Sequence, residues 1–280
     1  MRSIILSQEE IAALTKEVVQ KNLKKVTAAS QYESLRVKDK DIFFVLYNTG
    51  KMVFQESKGF YDLLDRILIR EEHNVIGTDE AGKGEWYGPL VVAGVALTPE
   101  DTISLRKMGV SDSKGLSPFR IYEIGNVLQN SEIKKEVKIL PPEIYNNLYA
   151  DFKKEKKNLN DILLWAHGEI INDLLTRIHP EKTRVVVDKF DSSQTPKRFE
   201  TPEKFKVPIT QKTGGESEVA VAAASVLAKF TFEEELKKLN QEFALDVRTM
   251  NPEEIPEEIL PVVAKLHFKN VKRIKNDLNE

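Results

Sequence analysis

Residues 74–97, NVIGTDEAGKGEWYGPLVVAGVAL, decide the fold. An apolar run ends in two adjacent carboxylates, Asp79 and Glu80. Ala81-Gly82-Lys83-Gly84 and the aromatic pair Trp86-Tyr87 follow, and a second apolar run closes the stretch. Short apolar runs without alternation read as strands buried on both faces. Acids at the end of such a strand face the crevice at a sheet edge, where α/β proteins place their sites. Successive side chains on a strand point to opposite faces, so Asp79 and Glu80 reach one crevice only if the strand stops there. Glycines at 82 and 84 permit that break. The expectation is therefore a turn that turns both carboxylates to one place and brings backbone N–H groups close to a ligand.

Working outward, residues 1–72 read as a small separate unit. SQEEIAALTKEVVQKNL carries Ser7, Glu10 three residues later and apolar residues at helical spacing, a capping box opening an amphipathic helix. DIFFVLYNTGKMVFQES is two strand-like runs around Asn48-Thr49-Gly50, a hairpin, and GFYDLLDRILIREE reads as a second helix. Residues 73–280 form the main domain after the polar joint EEHN. EIKKEVKIL alternates like a strand with one wet face, and TRVVVDKF is a buried strand ending in Asp188. NDILLWAHGEIINDLLTRI is an amphipathic helix capped by Asn160 or Asp161. EVAVAAASVLAKFTFEEELKKL is a long helix whose small residues let it lie close on a sheet, and PEEILPVVAKLHFKNVKRIKN predicts a C-terminal helix. The pattern implies an α/β domain, a mixed sheet flanked by helices, behind a small α+β unit.

Composition bounds the chemistry. Lys and Arg number 42 against 44 Asp and Glu, a formal charge of −2, so nucleic-acid binding would need a local basic face. No cysteine is present, which excludes disulfides, thiolate zinc sites and cysteine nucleophiles. A metal would sit on oxygen ligands or on the four histidines, which favours hard cations. No apolar run approaches a membrane span, and the N-terminus is too short and acidic for a signal peptide, so a cytoplasmic protein without a membrane partner is expected.

Asp79 and Asp188 both stand at ends of buried strands. Two such aspartates on neighbouring strands can share a divalent cation and support phosphodiester cleavage. Each alone is as readily a cap on the following turn. Gly82-Lys83-Gly84 lacks the spacing of a nucleotide phosphate loop and by itself reads as a plain turn. Beside the carboxylates it suits a polyanion held near a metal. Glu216 and Glu218 open the long helix, where helix-dipole complementarity would justify either; Glu216 follows two glycines in an entry suited to a ligand. Ser113 and Lys114 lie in GVSDSKGLSP, a solvated turn that near the acids could hold a phosphate.

These pieces, in this order, resemble the type 2 ribonucleases H. GTDEAGKGEWYGPLVVAGV, GVSDSKGLS, VVVDKF and AVAAASVLAKF are similar to successive motifs of that family. Gly-Lys-Gly with an aromatic pair, together with VAKLHFKN, is more like the HIII than the HII branch. LYNTGKMVFQ resembles the hairpin of the TATA-binding-protein-like domain that precedes HIII catalytic domains. The resemblance implies a ribonuclease H-like fold and cleavage of RNA in RNA–DNA hybrids with Mg²⁺, or Mn²⁺ in its place. It carries the four acids onto Asp79, Glu80, Asp188 and Glu216. The interval from Glu216 to Ser225 is one residue shorter than in typical relatives, and Glu218 is the fallback. Gly82, Lys83 and Gly84 match the turn that reads the hybrid, with Tyr87 beside it to stack on a sugar or base or to pack in the core. Ser113 and Lys114 match the phosphate-contacting loop.

Three other readings compete. An HII-like enzyme would also cut at a single ribonucleotide embedded in DNA, but no tyrosine follows Lys229 to sense that junction. A hybrid-binding protein without catalysis is disfavoured by the presence of the motif acids. A sequence-specific DNA-binding module would need a basic recognition helix, and none is evident. His267 reads as structural rather than catalytic, and a monomer is expected.

Overall fold

The computed structural model describes residues 1–69, 72–110, 115–188, 207–212 and 218–272, with only the backbone at 211 and 212. Ser113, Lys114 and Glu216 lie outside them. Two sheets are present among these residues.

The first sheet contains β1 (Arg2–Ile5), β2 (Glu33–Asp39), β3 (Ile42–Tyr47) and β4 (Lys51–Phe54), in the order β1-β4-β3-β2. The hairpin turns at Gly50, whose φ of 83° needs glycine. Helices α1 (Gln8–Gln20) and α2 (Lys58–Ile67) cover one face through Leu14, Val18, Phe60 and Leu64, which close on Phe44, Leu46 and Phe54. The capping box is formed: Ser7 Oγ accepts from the Glu10 amide, and Glu10 accepts from the Ser7 amide. Strands β1 and β2 have no counterpart in the sequence reading. Both short runs carry charges, and pairing with β4 and β3 makes them strands.

The second sheet is built on β5 (Asn74–Ala81), β6 (Leu90–Leu97), β7 (Lys134–Leu140), β8 (Thr183–Asp188) and β9 (Ile209–Lys212). Its order is β7-β6-β5-β8-β9, antiparallel on the β6–β7 side and parallel across β5–β8–β9. Helix α7 (Val219–Phe243) lies on one face. Its alanines let it approach so closely that a Cβ on Gly77 would meet the Ala220 carbonyl carbon at 2.2 Å. Helix α6 (Leu159–Leu175) lies on the other face, where Gly94 leaves room for Ile170. Its cap is Asn158, two residues before Asn160 and three before Asp161, the expected caps, and Asp161 completes the box by accepting from the Asn158 amide. Helices α3 (Pro99–Lys107), α4 (Pro118–Asn130) and α5 (Pro142–Lys154) complete the shell. None of the described helices is long and apolar enough to cross a membrane.

The predicted C-terminal helix is overturned in part. Only α8 (Leu260–Val263) forms before Ala264 turns extended, with φ −125° and ψ 145°, and helical backbone resumes at residues 269–272. The interruption has a cause: residues 263–265 pair with the loop at 86–88, so their backbone groups serve that loop instead of a helix.

Candidate active site

The strand does not stop at the carboxylates. Strand β5 runs through Ala81, with Asp79 opposite Ala93, Glu80 opposite Val92 and Ala81 opposite Val91. The expected break at the glycines, turning both acids to one crevice, is therefore corrected. Pleat alternation holds, and the two side chains meet partners on opposite faces of the sheet.

Asp79 is buried toward α7, where Ser225 donates to it, and its Oδ1 also accepts from the Glu80 amide at 2.9 Å. Its carboxyl is pushed up to about 7, first by burial and then by the charge of Glu80, with Asp188 adding to it. The bonds from Ser225 and the Glu80 amide pull the other way and do not prevail. Glu80 faces α6. His167 is fully buried there, its Nε2 3.3 Å from Glu80 Oε2 and its Nδ1 2.9 Å from Thr78 Oγ1. Lys83 Nζ reaches Glu80 Oε1 at 3.4 Å. Burial pushes the Glu80 carboxyl up, but the His167 bond and charge and the Lys83 ammonium outweigh it, and the net shift is downward. Two neighbouring acids thus differ in charge preference because the strand shows them to different helices.

Asp188 ends β8 beside β5 and acts electrostatically on Asp79. Immediately after Ala81, Gly82 takes φ 83°, and a Cβ there would strike the Pro89 carbonyl oxygen at 2.1 Å. Gly84 differs: a Cβ added to it would meet nothing within 4 Å. Gly82 is thus required by the fold, whereas Gly84 faces open space. A crevice of about 380 Å³ lies over this turn, bounded by Glu80, Lys83, Gly84, Lys229 and Arg248. Tyr87 leans inward against Phe232, with ring centroids 6.5 Å apart, and is half-buried on the core.

Glu218 does not join the acids. It stands at the start of α7 and pairs with Arg184 at 2.8 Å, at the opposite end of β8 from Asp188. The described structure thus places Glu218 beside Arg184 and away from Asp188. His267 stacks on Tyr149 at 4.6 Å, and burial, helped by nearby lysines, pushes its ring down to about 4.

The donor set fits a hard divalent cation in its chemistry. It offers carboxylate oxygens only, from adjoining strands, and a carboxyl pushed up to about 7 by burial and by the neighbouring charge of Glu80. Among the described residues no three acidic or histidine side chains converge as a finished metal cage.

The sequence reading missed His167 and Ser225. Both interrupt apolar stripes: His167 sits among Leu163, Ile170 and Leu174, and Ser225 within the alanine run of α7. A polar residue at a core position of an amphipathic helix was the available signal.

The fold and its strand-end acids define a ribonuclease H-like α/β domain. The sequence profile of the family "Ribonuclease HII" matches residues 76–250. Ribonuclease HIII of Chlamydia felis is 33% identical over 269 residues, 87% of this chain and 88% of that protein. Ribonuclease HIII of Chlamydia caviae is also 33% identical, with the same coverage. The crystal structure of Bst-RNase HIII in complex with Mn²⁺ shares the fold, with a TM-score of 0.64 and 22% identity over 99% of this chain and 98% of that one. The chain belongs to the ribonuclease HII family and is an enzyme of the ribonuclease H kind, and its relatives along most of its length are ribonucleases HIII.

Proposed function

We propose that this protein is an endoribonuclease that hydrolyses the RNA strand of RNA–DNA hybrids, leaving 5′-phosphate and 3′-hydroxyl ends. The observation that carries the reading is the acid cluster at the ends of β5 and β8, with Asp79 pushed up to about 7, followed at once by a turn whose Gly84 faces open space. Asp79, Glu80, Asp188 and Glu216 would hold two Mg²⁺ ions, for which Mn²⁺ can substitute. Such ions supply a water of lowered pKa and stabilise the departing 3′ oxygen.

The chain's own residues do the rest. Ser225 and the Glu80 amide orient Asp79, and His167 and Lys83 orient Glu80. Gly82, Lys83 and Gly84 present backbone groups to successive 2′-hydroxyls, which distinguish RNA from DNA in a shallow minor groove. Tyr87 supports that turn from the core side, and Ser113 and Lys114 contact a backbone phosphate. Residues 1–72, a TATA-binding-protein-like domain, hold the hybrid through the sheet face away from α1 and α2. In support, that face sets Lys38 and Lys51 among Phe43, Val45 and Tyr47, with Arg36 beside them held by Glu33, a surface of cations and aromatic rings suited to a polyanion. The protein works in the cytoplasm as a monomer.

The deciding experiment is cleavage of a labelled RNA–DNA hybrid in Mg²⁺ by wild type, Asp188→Asn, Glu216→Gln and Glu218→Gln, beside a DNA duplex carrying one ribonucleotide. Wild type and Glu218→Gln should cut the hybrid, and the other two should not. A folded wild type that cuts no hybrid in Mg²⁺ or Mn²⁺ would sink the proposal.

A further inference from the structure

Lys265 is a lysine with almost no exposed surface, and it has no carboxylate partner in hydrogen-bond contact among the described residues. Burying an ammonium is costly unless its donors are all used. Here they go to main chain. Nζ donates to the carbonyls of Tyr87 at 2.7 Å, Gly88 at 2.6 Å and Pro89 at 3.4 Å, and the Lys265 amide donates to the Trp86 carbonyl at 2.7 Å. One residue thus takes four successive carbonyls of the loop between the Gly-Lys-Gly turn and β6. No regular secondary structure turns three consecutive carbonyls toward one atom, as those of residues 87–89 turn toward Nζ; Gly88, at φ 65°, makes it possible. An ammonium is the compact side chain with three donors at one atom.

Lys265 is itself fixed from behind. Asn146 of α5 donates to the carbonyls of Pro261 and Ala264 and accepts from the Leu266 amide. In front, the Pro89 carbonyl that Lys265 holds is the atom a Cβ on Gly82 would strike at 2.1 Å. Contact therefore runs unbroken from α5, through Asn146 and Lys265, to the floor beneath the turn. Packing alone would be met by an apolar residue at less cost.

We propose that Lys265 is a positioning residue for substrate recognition: by gathering the carbonyls of residues 86–89, it holds the Gly82–Gly84 turn in the shape that receives the RNA strand. This rests on the reading of that turn given above. The acids of β5 and β8 are set by sheet pairing and by α6 and α7, so Lys265 governs binding more than turnover.

The test compares wild type, Lys265→Met and Gly84→Leu in steady-state cleavage of a short labelled RNA–DNA hybrid in Mg²⁺. Binding to the same hybrid and to duplex DNA is measured beside it. Lys265→Met should raise KM between about tenfold and 100-fold, the scale of a misplaced binding element, and change kcat less than about threefold. Its preference for hybrid over duplex DNA should shrink. A purely structural role would lower the amount of active enzyme and its thermal midpoint while leaving KM and preference alone, and that result overturns the proposal. Gly84→Leu separates the two ideas. Its side chain enters open space, so the fold is kept and the RNA strand is blocked. Unchanged KM in Gly84→Leu defeats the reading of the turn and this inference with it. Raised KM there with unchanged KM in Lys265→Met defeats the role of Lys265 alone. If Lys265→Met does not fold, Lys265→Gln, which keeps two N–H donors, is measured instead. Failure of both to fold makes Lys265 a folding residue and overturns the assignment.

Discussion

At the carboxyl ends of β5 and β8, Asp79 is buried beside Glu80 and within electrostatic reach of Asp188, and burial first, then the charge of Glu80, pushes its carboxyl up to about 7. At the amino ends of the same strands two acids each have an arginine against them. Glu218 meets Arg184 at 2.8 Å, and Glu10 of α1 meets Arg106 of α3 at 2.6 Å. The larger cavity, about 650 Å³, lies at this balanced end, between Ser7, Glu10, Arg106, Arg184 and Glu218. The smaller crevice lies over the carboxyl end. Size does not mark the site here; a carboxyl buried beside another acid does. A fold tolerates crowded carboxylates at a cost in stability, and that cost is expected where a ligand will supply the missing charge.

The largest effect that would break this contrast is at Asp188. Asp188→Asn should lower hybrid cleavage by about 10³-fold or more, the loss expected when several kcal/mol of electrostatic stabilisation are removed. It should leave folding intact or improve the stability of the metal-free protein, because it relieves Asp79. Single-turnover cleavage and thermal unfolding in chelator measure both. A fall in activity that merely tracks unfolding would mean that this end is structural too.

At the balanced end the same kind of change should act on stability and not on chemistry. Arg106→Met leaves Glu10 buried and without its cation. The Glu10 carboxyl is raised by burial, but this is outweighed by Arg106 and by the amides of Ser7 and Ile69, so it sits below its ordinary value. Removing one partner of a buried pair costs on the order of 3 kcal/mol. A lowered thermal midpoint is expected, with much of the loss recovered in Glu10→Gln/Arg106→Met. No change in midpoint would show that α1 does not dock on α3 through this pair.

A pH series sharpens the comparison further. The Asp79 carboxyl is held above its unfolded value, so the folded, metal-free protein binds that proton more tightly than the unfolded chain does. Its contribution is present below about pH 4 and is lost as pH rises toward 7. The stability difference between wild type and Asp79→Asn should therefore move against wild type across that window, and saturating Mg²⁺ should reduce it. A flat difference would mean that Asp79 is not buried as described.

Much of this was legible in the sequence, and the exceptions share a physical reason. The strands around Asp79 and Asp188 and the helices α6 and α7 announce themselves by local apolar pattern. What the pattern could not carry was pairing at a distance. Glu80 continues the strand because His167, 87 residues away, receives it on the opposite face. The C-terminal helix breaks because Lys265 is drawn to carbonyls up to 179 positions earlier, as 265 − 86. Strand β1 exists only because β4 lies beside it. The choice between Glu216 and Glu218 was open for the same cause: helix-dipole logic suits both, and the pairing of Glu218 with Arg184 on β8 is a contact the local pattern does not carry.

The smallest expected effect tests that separation. Glu218 and Arg184 are both partly exposed, with side chains 18% and 30% accessible, so solvent screens their attraction and the pair contributes under about 1 kcal/mol. Glu218→Gln keeps the side chain's length and an oxygen for Arg184, so the thermal midpoint should fall by a degree or two at most. Hybrid cleavage and its Mg²⁺ dependence should match wild type, because Glu218 lies beside Arg184 at one end of β8 while Asp188 closes the other. The midpoint alone cannot distinguish a structural pair from a metal ligand. The Mg²⁺ concentration for half-maximal cleavage can, since loss of a ligand would raise it even where folding is untouched. A rise of tenfold or so in that concentration would place Glu218 among the acids after all, and the line drawn between the two ends of the sheet would have to be moved.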